Sequence, residues 1–295
     1  MRVTEKHRFV LSQLRIGHQR SRQIKITDQL SSGYRVGRPS DDSIAAKKIN
    51  VLQTESRRVD QYKKNVDVAE RLLNVADQTL GESTNTLFRL KEIAIRGLNS
   101  AMTPSDRDNL AAEITTLRDH LMSLANTRTD NRYIFGGYAM STPPYDNAFN
   151  FVGDTNTTSV VVGDRNFIDI TARGGSAFGD GTPATVDVFA NINALETAVR
   201  LGIEADMQNE LETLELSIEQ SISARSAVGL QLSRVEANKA VLSHRSTELI
   251  AGISQLKDVD FTAAVSELKV VENALQATIA TSSRLMNGSS LLDYL

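Results

Sequence analysis

The sequence predicts a mainly α-helical protein: a long antiparallel coiled-coil-like bundle with a terminal helix pair and a small β-rich inserted domain. Apolar residues recur three and four positions apart through two long segments, the pattern of helices that pack along a seam. Eight of the 17 glycines lie between those segments, at 136–181, where turns and strands are expected. Aromatic residues make up only 5% of the chain, which suits thin helical layers better than a thick globular core.

The N-terminal segment predicts a helix over about residues 4–31 with a weak apolar face. No proline interrupts it, and Val10, Leu14 and Ile24 recur along one stripe with small residues between them. The segment is basic, with seven Lys or Arg against two acids in residues 1–30. Two interpretations stay open: a helix whose charges meet solvent or acidic neighbours, or an arm that grips phosphates.

A helix break follows at once. Gly33 can adopt the left-handed conformation that ends a helix, and Pro39 prevents its continuation. Ser40 and Asp41 are good N-cap residues for the next helix, and Asp42 is favourable at its positive end. The sequence therefore predicts a helix stop, a short extended link and a capped restart.

The second helix is predicted to be long, over about residues 42–102. Its seam positions are all apolar except Ser83 and Gly97, and they are 59, 62, 66, 69, 73, 76, 80, 83, 87, 90, 94, 97 and 101. A third helix is expected over residues 105–126. Glycines and turn signals then surround two β-branched runs, at 159–163 and 166–171, which predict a hairpin. The glycine cluster that begins at Gly174 is expected to be a flexible hairpin between strands.

The C-terminal part predicts three more helices, over about residues 186–201, 205–256 and 260–286. The long one among them repeats the seam, with Leu, Ile or Val at ten of the fourteen positions 211, 214, 218, 221, 225, 228, 232, 235, 239, 242, 246, 249, 253 and 256. Along the chain, a short terminal helix is followed by a long helix, the insertion, a second long helix and a short terminal helix. Folding back at the insertion places long helix beside long helix and terminus beside terminus. The predicted domains are a terminal coiled coil (1–40 with 258–295), a helical bundle (41–138 with 186–257) and a β-rich outer domain (139–185).

The terminal pair carries small or polar residues in its seams, and these are Gly17, Ser21, Thr278 and Ser282. Such seams bury little apolar area, whereas ordering the backbone costs roughly 1–2 kcal/mol per residue. We therefore expect the terminal helices to need neighbouring copies, which predicts a homo-oligomer. Leu268 and Leu275 are expected to be buried only by assembly, and most of residues 146–183 is expected to be dispensable for it.

Several classes of protein are disfavoured. The four His lack metal-ligand spacing, no glycine-rich phosphate loop with a GK[ST] ending occurs, and the two Val-Gly-Asp triplets lack the spacing of a calcium loop. We predict no catalytic, cofactor or metal site, and the chain has no Cys. The chain contains no run of 18 uncharged apolar residues, so no membrane span is expected. The N-terminus has no continuous apolar stretch of the kind a cleaved secretory signal needs.

Three stretches carry a family resemblance: LSSGYRVGRPSDDSIAA at 30–46, RYIFGG at 132–137 and LMNGSSLLDYL at 285–295. They resemble the signatures of the flagellin superfamily. The form Arg38-Pro39-Ser40-Asp41-Asp42 is more similar to members at the hook–filament junction than to filament flagellins. The likeness covers both helical arms, about two thirds of the chain.

The resemblance implies a function and a location. The terminal helices would line the flagellar tube, the long helices would form a middle layer, and the insertion would face outward. Subunits would form a ring between hook-associated protein 1 and flagellin, outside the cell. They would be exported unfolded by the flagellar type III apparatus, with an export chaperone on the C-terminal helix. Neither nucleic acid nor membrane is an implied partner.

The assembly interface is expected to combine both arms and the link between them. The residues are Val10, Leu14, Ile24, Leu30, Arg35, Arg38, Asp41, Asp42, Leu268, Val271, Leu275, Leu285, Leu291 and Leu292. The four charged ones could pair with neighbouring subunits or could serve only the capped helix junction of their own chain. Two alternative functions are a filament flagellin with a reduced outer domain and a cytoplasmic coiled-coil scaffold that tethers DNA through the basic arm.

Overall fold

A computed structural model describes residues 2–99, 102–171, 174–182 and 184–287. It confirms the mainly helical fold with small antiparallel strand pairs. The elements in chain order are α1 (Arg2–Ser32), α2 (Ser43–Gly97), α3 (Pro104–Ala125), β1 (Arg128–Thr129), β2 (Arg132–Tyr133), β3 (Ser159–Gly163), β4 (Asn166–Asp169), α4 (Gly174–Phe178), α5 (Val188–Leu201), α6 (Glu204–Lys257) and α7 (Phe261–Asn287).

The chain divides into two compact units. One consists of Met1–Arg58 with Arg245–Leu295, and the other is Val59–His244. The borders run inside α2 and α6, so each long helix contributes to both units. The β-rich insertion belongs to the second unit together with the helices that surround it. The three-domain division drawn from the sequence stays a prediction.

The second unit is built on the seams of α2 and α6. Seam residues of α2 such as Val66, Leu80 and Leu87 are fully buried, and so is Leu214 of α6. Two further α6 seam positions are charged, and they pair with α2. Arg225 Nε lies 2.9 Å from Asp77 Oδ1, and Lys239 Nζ lies 2.5 Å from Glu70 Oε2. The heptad spacing predicted this antiparallel pairing correctly.

The structure corrects the junction of α2 and α3. α2 stops at Gly97 rather than near residue 102, and Gly97 lies against α5, where an added Cβ would be 3.3 Å from Val199 Cγ2. Thr103 is extended, as the residue before a proline tends to be, and its side chain accepts from Asp106 N. The side chain of Asp106 bonds back to the Thr103 N–H, so a complete capping box starts α3 at Pro104.

An aromatic cluster, which we define as Phe135, Tyr145, Phe178 and Phe189, joins the insertion to α5. The ring centre of Tyr145 lies 5.2 Å from that of Phe189, and Phe135 meets Phe178 edge-on at 5.5 Å. The Tyr145 hydroxyl donates to the Gly179 carbonyl at 2.7 Å. Burial raises the pKa of this phenol, which therefore stays neutral.

The expected flexible hairpin at Gly174 is wrong. Gly174–Phe178 is a short helix, α4, that lies against the aromatic cluster. A Cβ on Gly174 would lie 2.5 Å from the Phe135 carbonyl oxygen, so the glycine is there for close packing and not for flexibility. The predicted hairpin exists at β3 and β4, although β4 ends at Asp169.

None of the helices, over the residues described, combines the length and apolar character needed to cross a bilayer. Over the same residues, no group of three or more His, Asp or Glu has the geometry to hold a metal ion.

Candidate assembly surface

The terminal helices α1 and α7 pack against each other within one chain. Ile26 of α1 and Ala264 and Val271 of α7 form a small buried cluster. The Ser12 and Ser282 hydroxyls share a 2.5 Å hydrogen bond, and Arg22 lies 3.0 Å from Glu267. Early residues of α1 thus meet late residues of α7, so the pair is antiparallel. Its apolar core is small because the seam is filled partly by hydroxyl groups.

This pairing corrects the expected burial of several residues. Leu30 and Leu268 are half-buried against the Ile26 cluster, and Val271 is 2% exposed. Leu275 is also half-buried. The expectation that only assembly covers Leu268 and Leu275 was therefore wrong, because α1 and α7 of the same chain already form an interface.

The other face of α1 is uncovered. Val10, Leu14 and Ile24 are exposed, at 44%, 64% and 61% of their surface. Together with Gly17 and Ser21 they follow spacings of four and three, so they lie on one side of the helix, which we call the outer seam. A Cβ on Gly17 would meet nothing within 4 Å.

Sequence reasoning found the outer seam but missed the inner one. The inner seam faces α7 and consists of Ser12, Ile16, Gln19, Gln23, Ile26 and Leu30. These six also follow spacings of four and three, and each is at least half-buried. The spacing could have revealed it, but half of its positions are polar and give no apolar signal.

Backbone hydrogen bonds close the link between α1 and α2 onto the link between α6 and α7. Gly33 has the predicted positive φ of 75° and ends α1. Its carbonyl accepts from Val259 N at 3.0 Å, and Arg35 N donates to the Lys257 carbonyl at 2.7 Å. Tyr34 and Asp258 form the antiparallel bridge between these bonds. The two links therefore hold each other in a fixed register.

The N-cap of α2 is Asp42 rather than the predicted Ser40 or Asp41, and Asp41 instead closes a turn within the link. Asp42 Oδ1 accepts from Ala45 N at 2.9 Å, and its other oxygen lies 3.3 Å from the Arg35 guanidinium. The Ala45 N–H and then Arg35 lower the pKa of Asp42. Asp41 accepts from the N–H groups of Arg38 and Gly37, and the first of these bonds lowers its pKa most.

Three of the four charges thus serve the helix junction of their own chain, which is the alternative to a contact with neighbouring subunits. Arg35 also donates to the Leu256 carbonyl at 2.8 Å, so its guanidinium is engaged on both sides. Arg38 is exposed, and within the described part of the chain its guanidinium forms no ion pair. Arg38 is therefore the charge in this link that is most available to another molecule.

Three predicted interface residues cannot be placed. Leu291 and Leu292 lie outside the described residues, and the Leu285 side chain does as well, although its backbone belongs to α7.

Comparison with known proteins bears on both arms. The bacterial flagellin N-terminal helical region matches residues 12–140, and the bacterial flagellin C-terminal helical region matches residues 211–295. Together the two matches span the exposed outer seam from Leu14 onward, all of α2, α6 from residue 211, and α7.

Similar whole proteins share one name. The chain is 30% identical to flagellar hook-associated protein 3 of Escherichia coli over 86% of this chain and 87% of that protein. It is 26% identical to flagellar hook-associated protein 3 of Salmonella typhimurium over 99% of this chain and 98% of that one.

Solved structures show the same fold. A putative flagellar hook-associated protein from Vibrio parahaemolyticus matches with a TM-score of 0.69 at 18% identity, covering 74% of this chain and 100% of that one. FlgL from Bacillus cereus matches with a TM-score of 0.61 at 22% identity, covering 69% and 99%. The chain belongs to the flagellin superfamily and, within it, to the hook-associated protein 3 (FlgL) family of flagellar structural proteins, which are not enzymes.

Proposed function

We propose that the chain is a structural subunit of the bacterial flagellum that forms a ring at the hook–filament junction, between hook-associated protein 1 and flagellin. Relatives named hook-associated protein 3 match nearly the whole chain at 26–30% identity. Flagellins match less well, for example 24% for flagellin of Listeria innocua over 91% of this chain. These comparisons favour a junction subunit over a filament flagellin. Membership of this family also argues against the alternative function of a DNA-tethering scaffold.

The outer seam of α1 is the observation that carries the proposal. An isolated helix pair with one exposed aliphatic seam is incomplete, because fully burying a Leu or Ile side chain contributes about 1.5–3 kcal/mol. Leu14 and Ile24 point away from α7 and stay uncovered in the single chain. Gly17 and Ser21 between them allow another helix to approach closely. A neighbouring subunit's helix fits that description.

The layer arrangement is part of the proposal. Residues 1–40 with 258–295 would form the inner layer, 41–138 with 186–257 the middle layer, and 139–185 the outer surface. The closed link at Gly33 and Val259 supports this, because it joins both arms to the long helices at one fixed place.

Export is proposed to precede assembly, through the flagellar type III apparatus and without a cleaved signal. α7 exposes Val265 and Val270, at 49% and 66% of their surface. A free subunit therefore presents apolar side chains that need cover until it is incorporated. An export chaperone bound to α7 would supply that cover.

Replacing Ile24 with Asp tests the proposal. We expect the variant to keep its helical content in circular dichroism, because Ile24 is 61% exposed. We expect it to be lost from sheared flagella, as measured by immunoblot, because a carboxylate cannot be buried unpaired between helices.

His18→Asp is the matched control, since His18 is exposed on the same helix outside the outer seam. Incorporation of Ile24→Asp at the level of His18→Asp would contradict a role for the seam in assembly.

A further inference from the structure

Charge is distributed unevenly along the two long helices. The first turns of α2, over residues 43–64, contain six basic residues, Lys47, Lys48, Arg57, Arg58, Lys63 and Lys64, against Glu55 and Asp60. The first turns of α6, over residues 204–224, contain six acids, Glu204, Asp206, Glu210, Glu212, Glu215 and Glu219, and no Lys or Arg. Each long helix therefore begins with a segment of one dominant charge.

On α2 the basic segment includes exposed apolar side chains. Ile44 is 71% exposed and Val51 is 59% exposed, and they lie seven residues apart on one face. Lys47 and Lys48 flank them and are exposed, and neither forms an ion pair with any described residue. We call Ile44, Lys47, Lys48 and Val51 the basic strip.

Glu55 does not neutralise this face. It is the one acid between residues 43 and 59, and it is held by Arg245 of α6, whose guanidinium nitrogen lies 2.5 Å from Glu55 Oε1. The two lysines therefore keep an uncompensated positive charge beside the two apolar side chains.

On α6 the acidic segment has a matching arrangement. Leu216 is 51% exposed and lies between Glu212 and Glu219, at spacings of four and three that place all three on one face. Glu215 is engaged by Lys91 at 2.7 Å and Glu210 by Asn191, whereas Glu212 and Glu219 make no ion pair with described residues. We call Glu212, Leu216 and Glu219 the acidic strip.

Each strip has the end of the other long helix beside it. Because α2 and α6 are antiparallel, position 55 of α2 pairs with position 245 of α6, and position 91 pairs with position 215. The basic strip therefore runs beside the last turns of α6, and the acidic strip beside the last turns of α2. Each strip is available to another molecule that carries the opposite one.

We propose that the basic strip of one copy docks on the acidic strip of the next copy. The inference rests on the proposed ring in one respect: a closed ring of more than two identical subunits requires two different, complementary surfaces on each subunit. The strips supply such a pair, with Leu216 against Ile44 and Val51 and two carboxylates against two ammonium groups. The outer seam of α1 is a separate contact.

The charges and the apolar residues have different roles in this contact. Exposed ion pairs contribute little binding energy each and are screened beyond about 8 Å at physiological salt. They fix which strip meets which and speed the encounter, while burial of the apolar side chains adds to the affinity. The contact should therefore weaken, and its preference for the opposite strip should decrease, as the salt concentration rises.

Cross-linking between single-cysteine variants tests the pairing, because the chain has no Cys of its own. Full-length Val51→Cys and Leu216→Cys proteins are mixed at low ionic strength and treated with a short bismaleimide. Both positions are exposed, so neither substitution disturbs the core, and a cysteine keeps a small apolar side chain within the contact. We expect mixed dimers between the two variants, with few dimers of either variant with itself. In the control, Val51→Cys is mixed with Val241→Cys, whose position on α6 is 67% exposed and outside the acidic strip.

Charge reversal then tests the chemistry. Adding Lys47→Glu and Lys48→Glu to the Val51→Cys protein should lower the mixed-dimer yield about tenfold, because like charges face each other. Adding Glu212→Lys and Glu219→Lys to the Leu216→Cys protein as well should restore it. A yield equal to that of the Val241 control, dimers mainly of Val51→Cys with itself, or indifference to charge reversal would each overturn the proposal.

Failure of the strip contact can be distinguished from failure of the proposed function. Proteins that also carry Ile24→Asp should cross-link through the strips as before, because the outer seam is not part of this contact. Loss of cross-linking in that background would show that the strips do not associate independently, which would also overturn the proposal.

Discussion

Phe189→Ala is expected to destabilise the 59–244 unit by about 3–5 kcal/mol, the usual range for deleting a fully buried aromatic ring. Phe189 is 0% exposed. Its ring lies 5.2 Å from that of Tyr145 and 5.5 Å from that of Phe149, so its removal leaves a cavity and breaks aromatic pairs. Because Phe189 belongs to α5 and its partners belong to the insertion, the substitution should also loosen residues 145–178.

Urea unfolding followed by circular dichroism measures this effect. Phe88→Ala is the matched control, since Phe88 lies on α2 in the same unit and is 46% exposed. We expect the control to cost well under half as much. Equal losses for the two variants would show that the aromatic cluster does not stabilise this unit.

Gly137→Ala is expected to destabilise the same unit by roughly 2–5 kcal/mol, the sum of a left-handed backbone cost and an overpacking cost. Gly137 has a φ of 62°, which an alanine adopts only with strain. A Cβ would lie 2.1 Å from the Asp154 carbonyl oxygen and 2.7 Å from that of Asn156, both backbone atoms that cannot move aside easily.

Gly181→Ala separates the two causes. Gly181 has a similar φ of 74°, but nothing lies within 4 Å of its added Cβ. The Gly181→Ala variant should therefore be destabilised only by the backbone cost, and its thermal midpoint should fall less than that of Gly137→Ala. If the thermal midpoint of Gly137→Ala is no lower than that of Gly181→Ala, the segment around Asp154 moves to make room for the added Cβ, and the overpacking cost is absent.

These glycine contacts explain part of the RYIFGG stretch in physical terms. Gly136 also leaves no room for a side chain, because its Cβ would lie 2.8 Å from the Ala139 carbonyl oxygen. The turn after β2 therefore needs two consecutive residues without a Cβ. The sequence shows the pair of glycines, but only the structure shows that neighbouring backbone fills the space.

The long helices could be predicted because their signal repeats. Most seam positions of α2 and α6 are apolar, and those that the structure describes are buried or half-buried, apart from the charged Arg225 and Lys239. The capped start of α2 was also predictable to within two residues, because a cap depends on residues within one turn, although Asp42 and not Ser40 or Asp41 is the cap. Both kinds of signal are local, so a single sequence carries them in full.

The aromatic cluster could not be predicted in the same way. Phe135, Tyr145, Phe178 and Phe189 are far apart in the chain and follow no common period. Their contacts come from the folding of the insertion onto α5. The expectation that most of residues 146–183 is dispensable for assembly stays a prediction, although these residues include Phe178, whose ring packs on that of Phe189.

The interface was predicted in part. The outer seam on α1 was found because Val10, Leu14 and Ile24 are apolar and regularly spaced. For Arg35, Asp41 and Asp42 the sequence left open whether they pair with neighbouring subunits or serve their own helix junction, because charge alone does not show its partner. Their actual partners, such as the Leu256 carbonyl and the Ala45 N–H, are backbone groups that a sequence pattern does not locate.

Amide hydrogen exchange on the dilute monomer and on assembled flagella tests most directly whether α1 and α7 depend on neighbouring copies. We expect amides of residues 9–30 and 261–282 to exchange much faster in the monomer than those of α2 around Leu80, and to become protected on assembly. The small Ile26, Ala264 and Val271 cluster is too little apolar area to protect them alone. Protection of both terminal helices in the monomer equal to that around Leu80 would contradict this.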